Sequence, residues 1–163
     1  MKYGFIGLGN MATAIIKGMI SSSAYASGNI LGHDPYSKAG RVTAGEMGVT
    51  ICASLAEAAV ADVLVLAVKP QAMPPVLEEL RALNLTGKLV VSIAAGKTLD
   101  VLQKGLGPSV AIARVMPNIN AKVGAATSAF AVNCHCTDAQ KIAVQALFGT
   151  VGTVSELPEE HFS

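Results

Sequence analysis

The fold class this sequence predicts is α/β: a doubly wound, mostly parallel sheet with helices on both faces. Three observations predict it. Apolar runs of strand length alternate along the chain with longer segments of helical period. Some of those runs, Val63 to Val68 among them, are apolar at every position, as strands buried on both faces are. The composition is 52% hydrophobic and 14% charged over 163 residues, enough for one domain with a full core and too apolar for disorder.

The elements follow in order. Tyr3 to Ile6 is a short apolar run closed by Gly7. Met11, Ala14, Ile15, Ile16 and Met19 then recur at helical spacing, predicting a helix from Asn10 to about Ser22. Asn29 to Gly32 reads as the second strand, ending at His33-Asp34-Pro35. Ser37 to Met47 reads as a helix, with Gly48 placed to end it. A third strand, Val49 to Cys52, precedes Ser54, which can cap a helix running to about Ala61, with Glu57 completing a capping box. The Val63–Val68 strand leads through Lys69-Pro70-Gln71 to a helix from about Met73 to Leu83. Leu89 to Ile93 is the fifth strand. Thr98 opens the next helix, with Asp100 near its positive end. Val110 to Val115 is the sixth strand, closing at a Met116-Pro117-Asn118 loop. Thr127 to Val132, a helix from Asp138 to Phe148, and Val151 to Ser155 complete the pattern.

Composition also excludes function classes. The formal net charge is +1 with no basic stripe, which argues against a nucleic-acid partner. No apolar run reaches a membrane span, and the chain starts directly on a strand, so a cytoplasmic protein is expected. Cys52, Cys134 and Cys136 are an odd set that makes a disulfide framework improbable. Cys134-His135-Cys136 lacks the second ligand pair a structural zinc needs, so no metal is expected, and Cys52 reads as core. His33 and His161 have no partner legible in sequence.

The chemistry sits on the loops. Gly7-Leu8-Gly9-Asn10-Met11-Ala12 follows a strand and opens an amphipathic helix, the context that gives the glycine fingerprint of a Rossmann domain its meaning. Gly7 permits the turn, Gly9 lets a diphosphate approach backbone, and Ala12 lets the helix lie on the strand. The free N–H groups of the helix start then face the phosphates. The fingerprint places an acidic residue roughly 20 residues on, against the adenosine ribose. Asp34, ending the second strand, is that candidate, with Lys38 and Arg41 nearby; the alternative is a turn residue ahead of Pro35. NADPH or NADH is the expected cofactor, with the choice between them open.

In an open α/β sheet ligands lie over the carboxyl ends of the strands. Those ends are Ala67-Val68-Lys69-Pro70, Ser92-Ile93-Ala94-Ala95-Gly96 and Arg114-Val115-Met116-Pro117-Asn118. Together with Gly7 to Ala12 and Val123-Gly124 they resemble pyrroline-5-carboxylate reductase, a family with Val-Lys-Pro, Ala-Gly and Met-Pro-Asn at these three places. The resemblance covers essentially the whole chain. It implies a reductase that passes hydride from NAD(P)H to the imine carbon of pyrroline-5-carboxylate, giving proline. It implies cofactor contacts at Gly7, Leu8, Gly9, Asn10 and Met11, at Asp34 and Ser54 on the adenosine side, and along Ala67, Val68, Lys69, Pro70 and Ala95. Met116 and Asn118 match a loop close to the reacting ring. The position of Lys69 above the sheet favours a cofactor contact; the alternative is a solvated lysine at a strand end.

Two departures stand out. Ile119-Asn120 replaces the family's Thr-Pro, and Ser54 replaces its usual asparagine. The family also has a second, helical domain with a Gly-Ser-Gly-Pro-Ala motif, most substrate contacts and the dimer interface. The expected division is 1–155 as the dinucleotide-binding domain and 156–163 as the start of that helical domain. Either Glu159 or Glu160 matches an acidic residue near the family's active site. The catalytic residues and homo-oligomer contacts are expected in the missing domain, and this chain alone is expected to bind cofactor with little turnover. A non-catalytic cofactor-binding module and a 3-hydroxyacid dehydrogenase relative are the alternatives.

Overall fold

A computed structural model of the chain describes residues 1–120 and 125–162, and the side chains of all of these except 119, 120, 125 and 126. One eight-stranded sheet contains β1 (Tyr3–Ile6), β2 (Ile30–His33), β3 (Thr50–Ile51), β4 (Val63–Leu66), β5 (Leu89–Ser92), β6 (Ala111–Asn120), β7 (Ala125–Val132) and β8 (Gly152–Glu156). Their order across it is β3-β2-β1-β4-β5-β6-β7-β8. β1 to β6 run parallel, β7 returns antiparallel to β6, and β8 lies parallel to β7. The order reverses between β1 and β4, which makes the carboxyl ends of those two strands the switch point where ligands sit in such sheets.

Helices α1 (Asn10–Ser21), α2 (Lys38–Glu46) and α6 (Asp138–Gly149) cover one face, where Ile15, Ile16, Ala44, Leu147 and Phe148 pack on Phe5, Val65 and Val91. Helices α3 (Leu55–Ala58), α4 (Met73–Arg81) and α5 (Leu99–Leu106) cover the other, where Leu77, Leu80 and Leu102 pack on Leu64, Leu66 and Val90. Every β4 residue is buried, and each Val or Leu so placed contributes about 1.5–3 kcal/mol by leaving water. The all-apolar run is thus explained by a layer on each side.

Most helix starts are set locally. Ser37, Ser54, Thr98 and Thr137 each accept a backbone N–H at the start of α2, α3, α5 and α6. At α6, Gln140 bonds back to the Thr137 N–H, a full capping box. At α3 the carboxylate of Glu57 takes the N–H of Ala53 instead, one residue ahead of the cap.

Three expectations are corrected. The helix capped by Ser54 stops at Ala58, where the chain turns with the Ala61 N–H on the Ala58 carbonyl; the Lys88 ammonium donates to the carbonyls of Val60 and Ala61 just beyond. The third strand is only Thr50–Ile51. Met116-Pro117-Asn118 is not a loop: it continues β6, with Met116 opposite Ala129, Pro117 opposite Ser128 and Asn118 opposite Thr127. β5 ends at Ser92 opposite Arg114, so this stretch has a free edge where a proline is tolerated. The other boundaries agree within two residues or so. Val123-Gly124 and Ser163 lie outside the described residues.

Candidate functional site

Gly7 ends β1 at the switch point. Its N–H donates to the His33 carbonyl at 2.8 Å, and the next strand is tied in by Ala67 N–H on the Ile6 carbonyl at 2.8 Å. Gly7 has φ +99°, and a Cβ there would lie 2.6 Å from the Ala67 carbonyl oxygen. Only glycine fits, for reasons internal to the protein. Gly9 differs. Its φ is −74°, and a Cβ built on it meets nothing within 4 Å among the described residues. Packing among the described residues therefore does not account for a glycine there.

Gly9 also begins α1, and among the described residues no side chain caps that helix. Asn10, Met11 and Ala12 form its first turn, without the hydroxyl acceptors found at α2, α3, α5 and α6. Such a turn carries a partial positive charge that favours an anion. Asn10 is exposed, Met11 half-buried and Ala12 buried against the sheet. Leu8 turns inward, fully buried, and donates its N–H to Asp34 Oδ2 at 2.8 Å.

Asp34 is half-buried at the end of β2. Its Oδ1 accepts the N–H groups of Tyr36 at 2.9 Å and Ser37 at 3.1 Å, and Arg41 Nη1 donates to its carbonyl oxygen at 2.7 Å. The turn-residue reading of Asp34 is therefore real, and it coexists with a position on the rim. His33 Nδ1 lies 3.0 Å from the Cys52 carbonyl, pinning the end of β2 to β3. Ser54 is exposed beside them. Cys52 is buried; its thiol is pushed up by that burial and by the nearby Glu57 carboxylate, so it stays protonated.

Further along the rim, Ala67 and Val68 are half-buried and Lys69 is exposed, leading into a 3-10 turn at Pro70–Ala72. Ala95 is exposed, and Gly96 adopts φ +75°. Met116, 38% exposed, lines a groove of about 380 Å³ with Thr127, Leu157 and Phe162. Met116 and Asn118 alternate with Pro117 and so share the β6 face that carries Arg114. The structure thus brings the loop residues, Asp34, Ser54, Ala67 to Pro70, Ala95 and Met116 to one edge of the sheet. Among the described residues, no group of three or more metal-ligating side chains occurs.

Two features escaped sequence reasoning. Arg114 is buried at 8% exposure, and its Nη1 pairs with Glu159 Oε2 at 3.1 Å under a cation–π contact with Phe162 at 5.0 Å. The same oxygen accepts the Leu99 N–H at 2.7 Å. Glu159, not the exposed Glu160, is the acidic residue engaged at this edge. The available signal was one arginine inside an otherwise apolar strand. The second feature is Gly40, a glycine inside a helix, which packs on the carbonyl of Leu8.

Comparison with known proteins identifies the family. The model of a family described as NADP oxidoreductase, coenzyme F420-dependent, matches residues 2–96. The chain belongs to that family. A Synechocystis sp. pyrroline-5-carboxylate reductase is 39% identical over 160 residues, covering 98% of this chain and 59% of that protein. Of solved structures, a pyrroline-5-carboxylate reductase from Coxiella burnetii superposes with a TM-score of 0.90 at 33% identity, over 98% of this chain and 59% of that one. A Plasmodium falciparum pyrroline carboxylate reductase with NADP bound gives 0.87 at 28%, over 98% and 58%. The resemblance read from the strand-end motifs is therefore shown. This family member spans about three fifths of the length of the curated relatives it matches. No helix among the described residues is long and apolar enough to cross a membrane.

Proposed function

We propose that this chain is the dinucleotide-binding domain of a reductase that uses NADPH or NADH to convert pyrroline-5-carboxylate to proline. One observation carries the reading: among the described residues, Gly9 opens on empty space at the uncapped start of α1, at the point where the strand order reverses. A diphosphate fits that cradle, because backbone can be approached closely at a helix start that no described side chain caps. The NADP-bound relative supports the choice of ligand.

In this reading Gly7 and Leu8 shape the loop, and Gly9, Asn10 and Met11 present backbone to the diphosphate. Asp34 and Ser54 stand on the adenosine side. Ala67, Val68, Lys69, Pro70 and Ala95 border the path towards the nicotinamide, and Met116 and Asn118 stand beside the reacting ring. Bound there, the dinucleotide supplies the hydride; the protein supplies position and electrostatics. Residues 1–155 form the binding domain. The carboxylate anchor, the proton donor and the homo-oligomer contacts belong to a helical domain beginning near 156–163, in a cytoplasmic enzyme. The relatives' greater length supports that division.

Calorimetric titration with NADH and NADPH tests the proposal. Saturable binding of at least one, with little proline formation by this chain alone, is expected. Folded protein that binds neither would end the reading, and brisk turnover by these 163 residues would overturn the division of labour.

A further inference from the structure

Leu8, the middle of the first loop, is held on three sides by one segment of chain. Its N–H donates to Asp34 Oδ2 at 2.8 Å. Its side chain is fully buried over Gly32, where a Cβ would come within 3.0 Å of the Leu8 methyl carbon Cδ2. Its carbonyl oxygen faces Gly40, where a Cβ would sit only 1.8 Å away. Gly40 lies in the first turn of α2 at negative φ, where alanine would be the better helix former. The close approach, not the backbone conformation, demands glycine. Asp34 completes the device. Its other oxygen accepts the N–H groups of Tyr36 and Ser37, so three of its roughly four acceptor positions are engaged.

We propose that Asp34 and Gly40 are positioning residues that clamp the Leu8 peptide and preset the diphosphate loop for NADH and NADPH alike. This rests on the dinucleotide reading above and adds to it. An acidic residue at this strand end is ordinarily expected to choose between a ribose hydroxyl and a 2′-phosphate. Here the carboxylate is bound into the protein through backbone N–H donors. Loosening the clamp leaves a smaller fraction of molecules with the loop in its binding shape, and apparent affinity falls by that fraction for any dinucleotide.

Amide hydrogen exchange at Leu8, followed by NMR, and titration with each dinucleotide test the proposal together. In the wild-type protein without ligand, the Leu8 amide is protected. Asp34→Asn offers one carbonyl oxygen where two carboxylate oxygens served, and Gly40→Ala pushes on the Leu8 carbonyl. Both variants should expose the Leu8 amide and weaken NADH and NADPH by a common factor of about tenfold. Their affinity ratio should stay within about twofold of wild type, since a clamp acts on every ligand alike. A merely structural loss in Gly40→Ala would not spare the far-UV spectrum while exposing this amide. The clamp is overturned by an unprotected Leu8 amide in the wild type. It is equally overturned if Asp34→Asn tightens NADPH and weakens NADH with that amide still protected. Should the wild type bind neither dinucleotide, the functional reading fails, and Leu8 protection still decides the clamp.

Discussion

Replacing Glu159 by alanine strands the guanidinium of Arg114. That side chain keeps 10% of its exposure, and its Nε has no hydrogen-bond partner among the described residues. The carboxylate 3.1 Å away is its ion-pair partner, and the same carboxylate is the acceptor for the Leu99 N–H that begins α5. Removing one member of a fully buried pair costs about 3–5 kcal/mol, because the other charge stays behind. Glu159 retains 27% exposure, so water reaches part of the gap and the loss is smaller, about 2–3 kcal/mol. In a domain of this size each kcal/mol moves the midpoint by about 2–4 °C, so thermal unfolding should shift down by about 4–12 °C. Adding Arg114→Met removes the stranded charge, and the double variant should be more stable than Glu159→Ala alone. Circular dichroism melts of the four proteins give the cycle. A Glu159→Ala shift under about 2 °C, or strictly additive losses, would show that the pair is a solvated surface contact and refute the reasoning.

Gly9→Ala should leave stability within about 1 kcal/mol of wild type while cutting dinucleotide affinity more than tenfold, because the added methyl meets only the ligand; Gly7→Ala should lower stability itself, and unfolding curves separate the two. Thr137→Ala removes the hydroxyl of a complete capping box and should cost about 1 kcal/mol, read as a lower urea midpoint with an unchanged slope. Tyr3 and Tyr25 meet edge to face at 5.1 Å, and burial raises both phenols above their usual range. Their contribution to stability is intact below the unfolded value and declines as pH rises past about 10, where the unfolded chain loses those protons first. Melts across that range, with tyrosinate absorbance, should show stability falling with pH, and Tyr25→Phe should flatten the slope.

Much of this was legible because it is local. A run apolar at every position needs a layer on each face, and β4 has one. Hydroxyl residues ahead of helical periods became caps, and the glycine fingerprint became a strand, a turn and an uncapped helix. Where the reading went astray, a distant partner intervened. Met116-Pro117-Asn118 looked like a loop because nothing in it shows that β7 comes back to pair with it. The α3 helix ends early in a turn whose carbonyls meet an ammonium nearly thirty positions away.

Residue order alone determined the alternation of strand and helix, the switch-point loop and the family, since each depends on neighbours a few positions apart. Tertiary structure decided what Asp34, Gly40 and Arg114 do. A carboxylate reaching the loop from β2, a missing methyl under a carbonyl and a buried cation answered by the chain's last residues are contacts between segments far apart in sequence. Short-range stereochemistry repeats in every chain and can be read directly; which remote groups meet depends on how the whole sheet packs.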